Sequence, residues 1–461
     1  MNYKGKDLLV IEESLNSVSF QGILVGGLTR PFQITILRSK ISRPSILSRI
    51  RRCLSEMHFF LSALVRGYRH QKVPNRSSVV FGYVRATDRY FKFFQPLFAH
   101  FDQHNIIFIN HRRDRRISSS NEYFVDIHSL NLNQYIAWRR SFIQITPQLQ
   151  QVYLLLKQDI GLKKHEIREL HHCIRTQTRN CIVVREVFVR ARPKFVLADF
   201  DRSKYNSCQI LTANALGIPT FSFIHGSTEP PLNYIPVLAK RLLCWGNIQF
   251  KQFSELPIPK RRYVISGNHW LKPPPKSRYI RKGVSGVVRV ALATTKSKKY
   301  GQFFFSLFAE ATRDTTVESI VKLHPLETRE QYLGLLNENK HVSIVEFGEK
   351  KNSDFFLEID LLIVHSSVVI TEGISFGVPV LVINPDVNYP IGIGKHLVNL
   401  KGYPQIKNME HLRRYLLEVQ RDASILDNLY AMNLDFMYEY CAYYGQESLQ
   451  KTLAFLNENT E

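Results

Sequence analysis

Between positions 361 and 384 the chain carries a pattern that few folds accommodate. Leu361, Leu362, Ile363 and Val364 form an unbroken apolar run, and His365, Ser366 and Ser367 follow it. Thr371, Glu372 and Gly373 open the next stretch, and Gly377-Val378-Pro379 ends it before a second apolar run, Val380 to Ile383. A short, wholly apolar run bounded by turn residues fits a strand buried on both faces, as in a parallel sheet covered by helices. The stretch therefore predicts strand, polar turn, short helix and strand. In open α/β sheets, ligands bind outside the carboxyl ends of strands. A Ser-Ser turn leading into a helix offers hydroxyls and backbone N–H groups that suit an anionic phosphate, and the Glu372 carboxylate suits a ribose diol. An ordinary βαβ crossover with polar turn residues gives the same pattern.

Other segments repeat the arrangement. VESIVKLHP, from Val317 to Pro325, is an apolar strand with Lys322 near its end and His324-Pro325 at its tip. These residues and the two serines then lie at neighbouring strand ends as convergent donors. The strand ending at Ala293 runs into Thr294, Thr295 and Lys296, a small, hydroxylated and basic loop that suits phosphates or an acceptor and equally suits a solvated turn. Nearer the amino terminus, the strand Phe195 to Ala198 ends in Asp199-Phe200-Asp201, and the strand Ile218 to Ile224 ends in His225-Gly226. The two aspartates serve either as catalytic carboxylates or as helix caps. His225 is of the type that titrates near neutral pH, and it also fits a packing role beside a turn glycine. No cluster has metal-ligand spacing.

The chain has 461 residues, which predicts two or three domains, and its 44% hydrophobic content supports real cores. Sixty-two Lys and Arg against 39 Asp and Glu give a formal net charge of +23, which favours anionic partners. No helix-turn-helix, zinc-finger or RNA-recognition pattern accompanies that charge, so nucleic acid is not the expected partner. The six cysteines are widely and irregularly spaced without a CxxC pair, which reads as reduced thiols in a cytosolic compartment. The opening residues do not read as a signal peptide, and no run approaches the roughly 20 apolar residues of a membrane-spanning helix. The segment from Ser45 to His70 reads as a basic amphipathic helix, suited to an acidic membrane surface or to a core with a solvated basic face.

In chain order, residues 1–40 read as strands and turns. A βαβ unit follows, its strands at 79–84 and 106–109 and its helix at 89–104, and then the basic loop HRRDRR at 111–116. Long helices are expected at 134–145, 147–158 and 164–189. The segment KPPPKSRYIRKG, 272–283, is the linker, because three consecutive prolines continue neither a helix nor a central strand. A second βα series follows, and residues 409–419 and 424–456 read as helices.

Two βα halves, a Pro-rich linker and a helical tail resemble the GT-B glycosyltransferases. The segments RPKFVLADFD, ANALGIPT and FIHG, followed by KLHP and HSSVVITEG…GVPVL, resemble the bacterial capsule and surface polysaccharide transferases, including the Kdo, polysialic acid and teichoic acid glycerophosphotransferase types. The resemblance spans roughly Lys194 to Pro385. It implies an α/β fold of two Rossmann-like domains: 1–271 on the acceptor side with a helical insertion, a linker at 272–283, 284–440 for the nucleotide, and a tail, 441–461, that crosses back. It implies phosphate contacts from His324-Pro325, Ser366 and Ser367, with Lys322 beside them, a ribose contact from Glu372, and His225 as general base next to Gly226. Asp199 or Asp201 is then an alternative base or orients His225. It implies a CMP- or UDP-sugar donor, a glycan or glycolipid acceptor, no required metal or cofactor, and work in the cytoplasm or at the inner membrane face. Two other readings remain open: a sugar-nucleotide epimerase of the same shape, and a non-catalytic membrane-associated subunit of a polysaccharide synthesis or export complex.

Overall fold

The computed structural model describes residues 5–29, 60–65, 78–81, 105–109, 122–127, 130–199, 206–224, 237–255, 260–280, 287–295, 297–387 and 391–460, with a few single positions between 94 and 101 and residue 234. The chain opens with a helix, Gly5–Leu15, and not with strands. The apolar group at 8–11 is too short to reveal its period; Ile11 and Leu15, one helical turn apart, are both buried. A small antiparallel pair follows, β1 (Ser19–Phe20) and β2 (Ile23–Leu24).

Seven strands then build one sheet: β3 (Ser78–Phe81), β4 (Asn105–Ile109), β5 (Glu122–Val125), β6 (Phe195–Ala198), β7 (Thr220–Phe223), β8 (Arg241–Cys244) and β9 (Tyr263–Ile265). Their order is β5-β4-β3-β6-β7-β8-β9, and each pair is parallel. A second parallel sheet holds β10 (Arg289–Ala293), β11 (Glu318–Lys322), β12 (Val342–Val345), β13 (Leu361–Val364) and β14 (Val380–Val382), in the order β12-β11-β10-β13-β14. Counted along the chain, both sheets run third, second, first, fourth, fifth. That is the order of the Rossmann fold. The structure is thus two Rossmann-like units with a helical tail. Strands β6, β7, β13 and β14 are buried at every position; β6, β13 and β14 are accordingly apolar without alternation, whereas β7 carries the buried Thr220 and Ser222 alternating with its phenylalanines.

Between β5 and β6 lies a long helical hairpin, Leu132–Asp159 and Lys164–Ala191. Its first helix begins in a capping box: the Asn131 side chain accepts from the Gln134 N–H at 2.9 Å, and the Gln134 side chain accepts from the Asn131 N–H at 2.8 Å. Pro147 was expected to divide this helix, yet it sits inside one continuous element. Proline forfeits one hydrogen bond there; Phe142 and Ile145 before it and Leu149 and Val152 after it are all buried, and that packing keeps both halves in register.

The described part of the Pro-rich linker, 272–280, is anchored. The Tyr279 N–H donates to the Gly377 carbonyl at 2.8 Å, the Tyr430 hydroxyl to the Pro275 carbonyl at 2.9 Å, and Arg278 pairs with Asp427 at 2.6 Å. The carboxyl-terminal segment, expected to be continuously helical over 424–456, breaks into Ser424–Tyr440 and Gly445–Glu458. In the gap the chain binds the first unit through backbone: Ala442 donates to the Trp245 carbonyl and Asn268 to the Tyr443 carbonyl, each at 2.8 Å. Gly267, at φ +79°, passes so close to Tyr443 that a Cβ would overlap its backbone. The last helix then places Leu449 and Leu456 in a buried cluster with Phe195, Leu197, Phe221, Phe223 and Leu243 of the first sheet. Each such leucine contributes about 1.5–3 kcal/mol by burial, which holds the tail across both units.

Candidate active site

In a doubly wound sheet the strand order reverses at one place, and a crevice opens there outside the carboxyl ends of the two strands. In the second unit that place lies between β10 and β13, which pair directly from Val290↔Leu361 to Ala293↔Val364. Thr294 and Thr295 leave β10 there, and His365, Ser366 and Ser367 leave β13. The Ser367 hydroxyl accepts from the Val369 N–H at 3.2 Å, just ahead of the helix Val369–Ser375. That helix has seven residues, so its dipole adds little at its amino end, and the donors at this turn are chiefly the hydroxyls. Ser366 is half-buried beside it. His365 is a structural residue: it is buried, its Nδ1 lies 2.8 Å from the Ile383 carbonyl, and its ring stacks on Phe304 with centroids 4.6 Å apart.

The His-Pro loop follows β11, next to β10. Thr294 does not point away from this loop but supports it. Its hydroxyl oxygen accepts from the His324 N–H at 2.9 Å and donates to Glu327 Oε2. That same carboxylate oxygen accepts from the His324 N–H at 3.2 Å, and Glu327 Oε1 accepts from the Tyr332 hydroxyl at 2.8 Å. Glu327 is only 5% exposed. Gly301 leaves room for this knot, since a Cβ there would stand 2.5 Å from Glu327 Oε1. Burial, and then the bond to Glu327, raise the Tyr332 phenol far above its ordinary range, so it remains a donor. The His324 Nδ1 accepts from the Leu326 N–H at 3.2 Å, which leaves the ring proton on Nε2.

Lys322 sits at the end of β11 and is 8% exposed. Its ammonium lies 4.5 Å from the centroid of the Phe355 ring. Burial lowers its pKa, and attraction to Glu372 opposes that shift. Glu372 is itself fixed by Asn352, whose amide donates to Oε2 at 2.7 Å. Lys322 and Glu372 thus form one neighbourhood, supported from Asn352 and Phe355, and the His-Pro loop is held separately by Thr294, Glu327 and Tyr332.

In the first unit the order reverses between β3 and β6, and Asp199 leaves β6 at that point. It is buried and accepts from Asn206 Nδ2 at 2.9 Å, which ties it to the start of the helix Asn206–Ala215. The β7 strand pairs with β6 as far as Ala198↔Ser222, so the chain leading to His225 leaves the sheet beside Asp199. His225, Gly226, Asp201 and Lys296 lie outside the described residues, as does most of the segment from Ser45 to His70, of which 60–65 is helical. Among the described residues, no group of three or more His, Cys, Asp or Glu could hold a metal ion, and no helix is long and apolar enough to cross a membrane. Glu327, Tyr332, Asn352 and Asn206 were not legible as site residues. Glu327 alone gave a local signal, as a carboxylate three residues after His324.

Two Rossmann-like units, with a tail that returns to the first, define a GT-B fold. Among the solved structures similar to it is CalG4, the calicheamicin glycosyltransferase, with a TM-score of 0.50 at 11% identity over 83% of this chain and 99% of that one. The UDP-GlcNAc 2-epimerase from Neisseria meningitidis, bound to UDP-GlcNAc, gives a TM-score of 0.47 at 14% identity over 83% of this chain and 100% of that one. A mutant of S. aureus TarM, in complex with fondaparinux, alpha-GlcNAc-glycerol and UDP, gives 0.43 at 11% identity over 60% of this chain, which spans 59% of TarM's length. No protein-family model matches the chain, and no curated protein sequence matches it. At these identities the likeness is one of fold.

Proposed function

We propose that the chain is a glycosyltransferase that moves a sugar from a CMP- or UDP-sugar to a growing surface or capsular polysaccharide or to a glycolipid. The observation that carries this reading is the position of His324, Ser366 and Ser367 beyond the ends of β11 and β13, around the strand-order reversal of the second sheet. The shared fold of CalG4, itself a glycosyltransferase, supports it. In this scheme His225 takes the proton of the acceptor hydroxyl, and Asp199 or Asp201 orients it. The acceptor oxygen bonds the anomeric carbon as the bond from that carbon to the nucleotide phosphate breaks. The departing phosphate gains charge and meets fixed donors: the Nε2–H of His324, beside Pro325, the hydroxyls of Ser366 and Ser367, and the ammonium of Lys322. Glu372 holds the ribose, and side chains rather than a metal carry the leaving charge. Gly226 and Lys296 border the route of the acceptor. The enzyme works in the cytoplasm at the inner membrane face, with the segment from Ser45 to His70 and the net charge of +23 drawing it to acidic lipid.

A melting-temperature panel against CMP, CDP, UDP, GDP and ADP, with and without magnesium, tests this directly. A nucleotide present at about 100 times its dissociation constant adds about 2.7 kcal/mol to the folded state. One stabilising nucleotide without metal supports the reading and identifies the donor class. An isomerised sugar nucleotide formed from donor alone replaces it with an epimerase. No stabilisation by any nucleotide, with binding to acidic liposomes, leaves a non-catalytic subunit.

A further inference from the structure

The knot of hydrogen bonds beneath the His-Pro loop has no counterpart in the catalytic scheme above. It joins Thr294 at the end of β10, His324 and Glu327 in the loop, and Tyr332 beyond it, and Gly301 on the helix Lys298–Thr312 leaves it room. A carboxylate this deeply buried is costly unless it is fully hydrogen-bonded. Here it accepts from the Thr294 hydroxyl, the Tyr332 hydroxyl and the backbone N–H of His324. The last of these is informative. The N–H of His324 is shared between Thr294 Oγ1 and Glu327 Oε2, so the peptide that carries the imidazole is fixed from below. The Glu327 N–H in turn donates to the His324 carbonyl at 2.8 Å, which closes the loop on itself. Within that closed loop the Leu326 N–H reaches His324 Nδ1 and selects the tautomer.

We propose that Glu327 is a positioning residue that acts through His324: it holds the loop so that the imidazole presents an Nε2–H donor to the phosphate of a nucleotide. The proposal rests on the reading of this crevice as a nucleotide site. Its physical content is preorganisation: a donor already oriented loses less entropy when the ligand arrives.

Nucleotide affinity is measured by calorimetry, with the nucleotide that raises the melting temperature most, for wild type, Glu327→Ala, Glu327→Gln, His324→Ala and the double variant Glu327→Ala with His324→Ala. Glu327→Ala is expected to weaken binding about tenfold in the wild-type background and less than twofold once His324 is already alanine. Glu327→Gln is expected to stay within about twofold of wild type, because one amide oxygen still accepts from the His324 N–H while the Tyr332 hydroxyl turns to accept from the amide. Equal losses with and without His324, or no loss in Glu327→Ala, overturn the proposal. Should Glu327→Ala fail to fold, Thr294→Val removes the other acceptor of the His324 N–H at nearly constant volume, and the same cycle applies. Nitrogen-15 spectra of histidine-labelled protein, with the His324 signals assigned by their loss in His324→Ala, give a readout independent of ligand. An Nε2–H tautomer in wild type that is lost or averaged in Glu327→Ala supports the positioning of His324 by Glu327, and it separates a failure of that positioning from a failure of the nucleotide-site reading. An Nδ1–H tautomer, or no change between the two proteins, overturns it.

Discussion

Asn433 makes the most calculable contribution in the second unit. It is fully buried on the helix Ser424–Tyr440, against β14, the last strand of that sheet. Its Oδ1 accepts from the Val380 N–H at 2.6 Å, and its Nδ2 donates to the Val380 carbonyl at 3.1 Å. The neighbouring Tyr403 hydroxyl donates to the same carbonyl at 2.8 Å and accepts from the Val382 N–H at 3.1 Å. Among the described residues β14 is the last strand of its sheet, and these two side chains bond the outward-facing Val380 N–H and carbonyl and the Val382 N–H, while Ile406 bridges to Ile383 further along the same edge. Asn433→Leu preserves the volume but leaves the Val380 N–H buried without an acceptor; the carbonyl keeps Tyr403. An orphaned buried donor costs about 1–3 kcal/mol, and the weakened carbonyl adds a few tenths, so the expected loss is about 1–3 kcal/mol. Urea titration followed by circular dichroism reads this as a lower midpoint with an unchanged slope. Asn433→Asp keeps the acceptor but sets a carboxylate against the carbonyl, and it should lose stability as well. A midpoint for Asn433→Leu equal to or above that of wild type would falsify the claim that this side chain secures the sheet edge.

Three further predictions concern the site and the first unit. His225→Ala should abolish sugar transfer while nucleotide affinity, measured by calorimetry, stays within about twofold; unchanged turnover removes His225 as the base. Ser366→Ala combined with Ser367→Ala should weaken nucleotide binding about tenfold, and equal affinity in both proteins counts against a phosphate site at this turn. The last prediction concerns acid stability. Burial, and then the charge of Arg175, lower the His171 imidazole pKa from its usual 6.5. The unfolded chain therefore takes up a proton before the folded one does. Stability on this account falls as pH drops through 6.5, and the slope ends once pH passes the lower folded value. His171→Phe, in a site already bordered by the rings of Phe142 and Tyr153 at 5.6 and 5.9 Å, should flatten the dependence of the urea midpoint on pH between about 7 and 5. The same acid slope in the variant would show that another group is responsible.

The readings that survived contact with the structure share a cause. Strands at 195–198 and 361–364 emerge with the bounds their sequences suggest, because a strand buried on both faces favours an unbroken apolar run. The readings that changed depended on what lies across from the element. A short apolar group at 8–11 is a helix because its partners stand one turn apart, Pro147 lies within a helix because buried residues flank it on both sides, and the tail breaks at 441–444 because the backbone there bonds to the first unit.

The candidate site divides the same way. The sequence alone determined which residues stand at strand ends: Asp199 after β6, Lys322 and His324 at and after β11, Ser366 and Ser367 after β13. An apolar run followed by a polar turn needs no knowledge of neighbours to be recognised. Only the tertiary structure decided that Thr294 and Glu327 grip the His324 peptide, that Lys322 lies over Phe355 near Glu372, and that His365 is a core residue stacked on Phe304. Local pattern records how a segment is buried, but a hydrogen bond between residues some thirty positions apart depends on the strand order that brings them together, and no local pattern encodes that order.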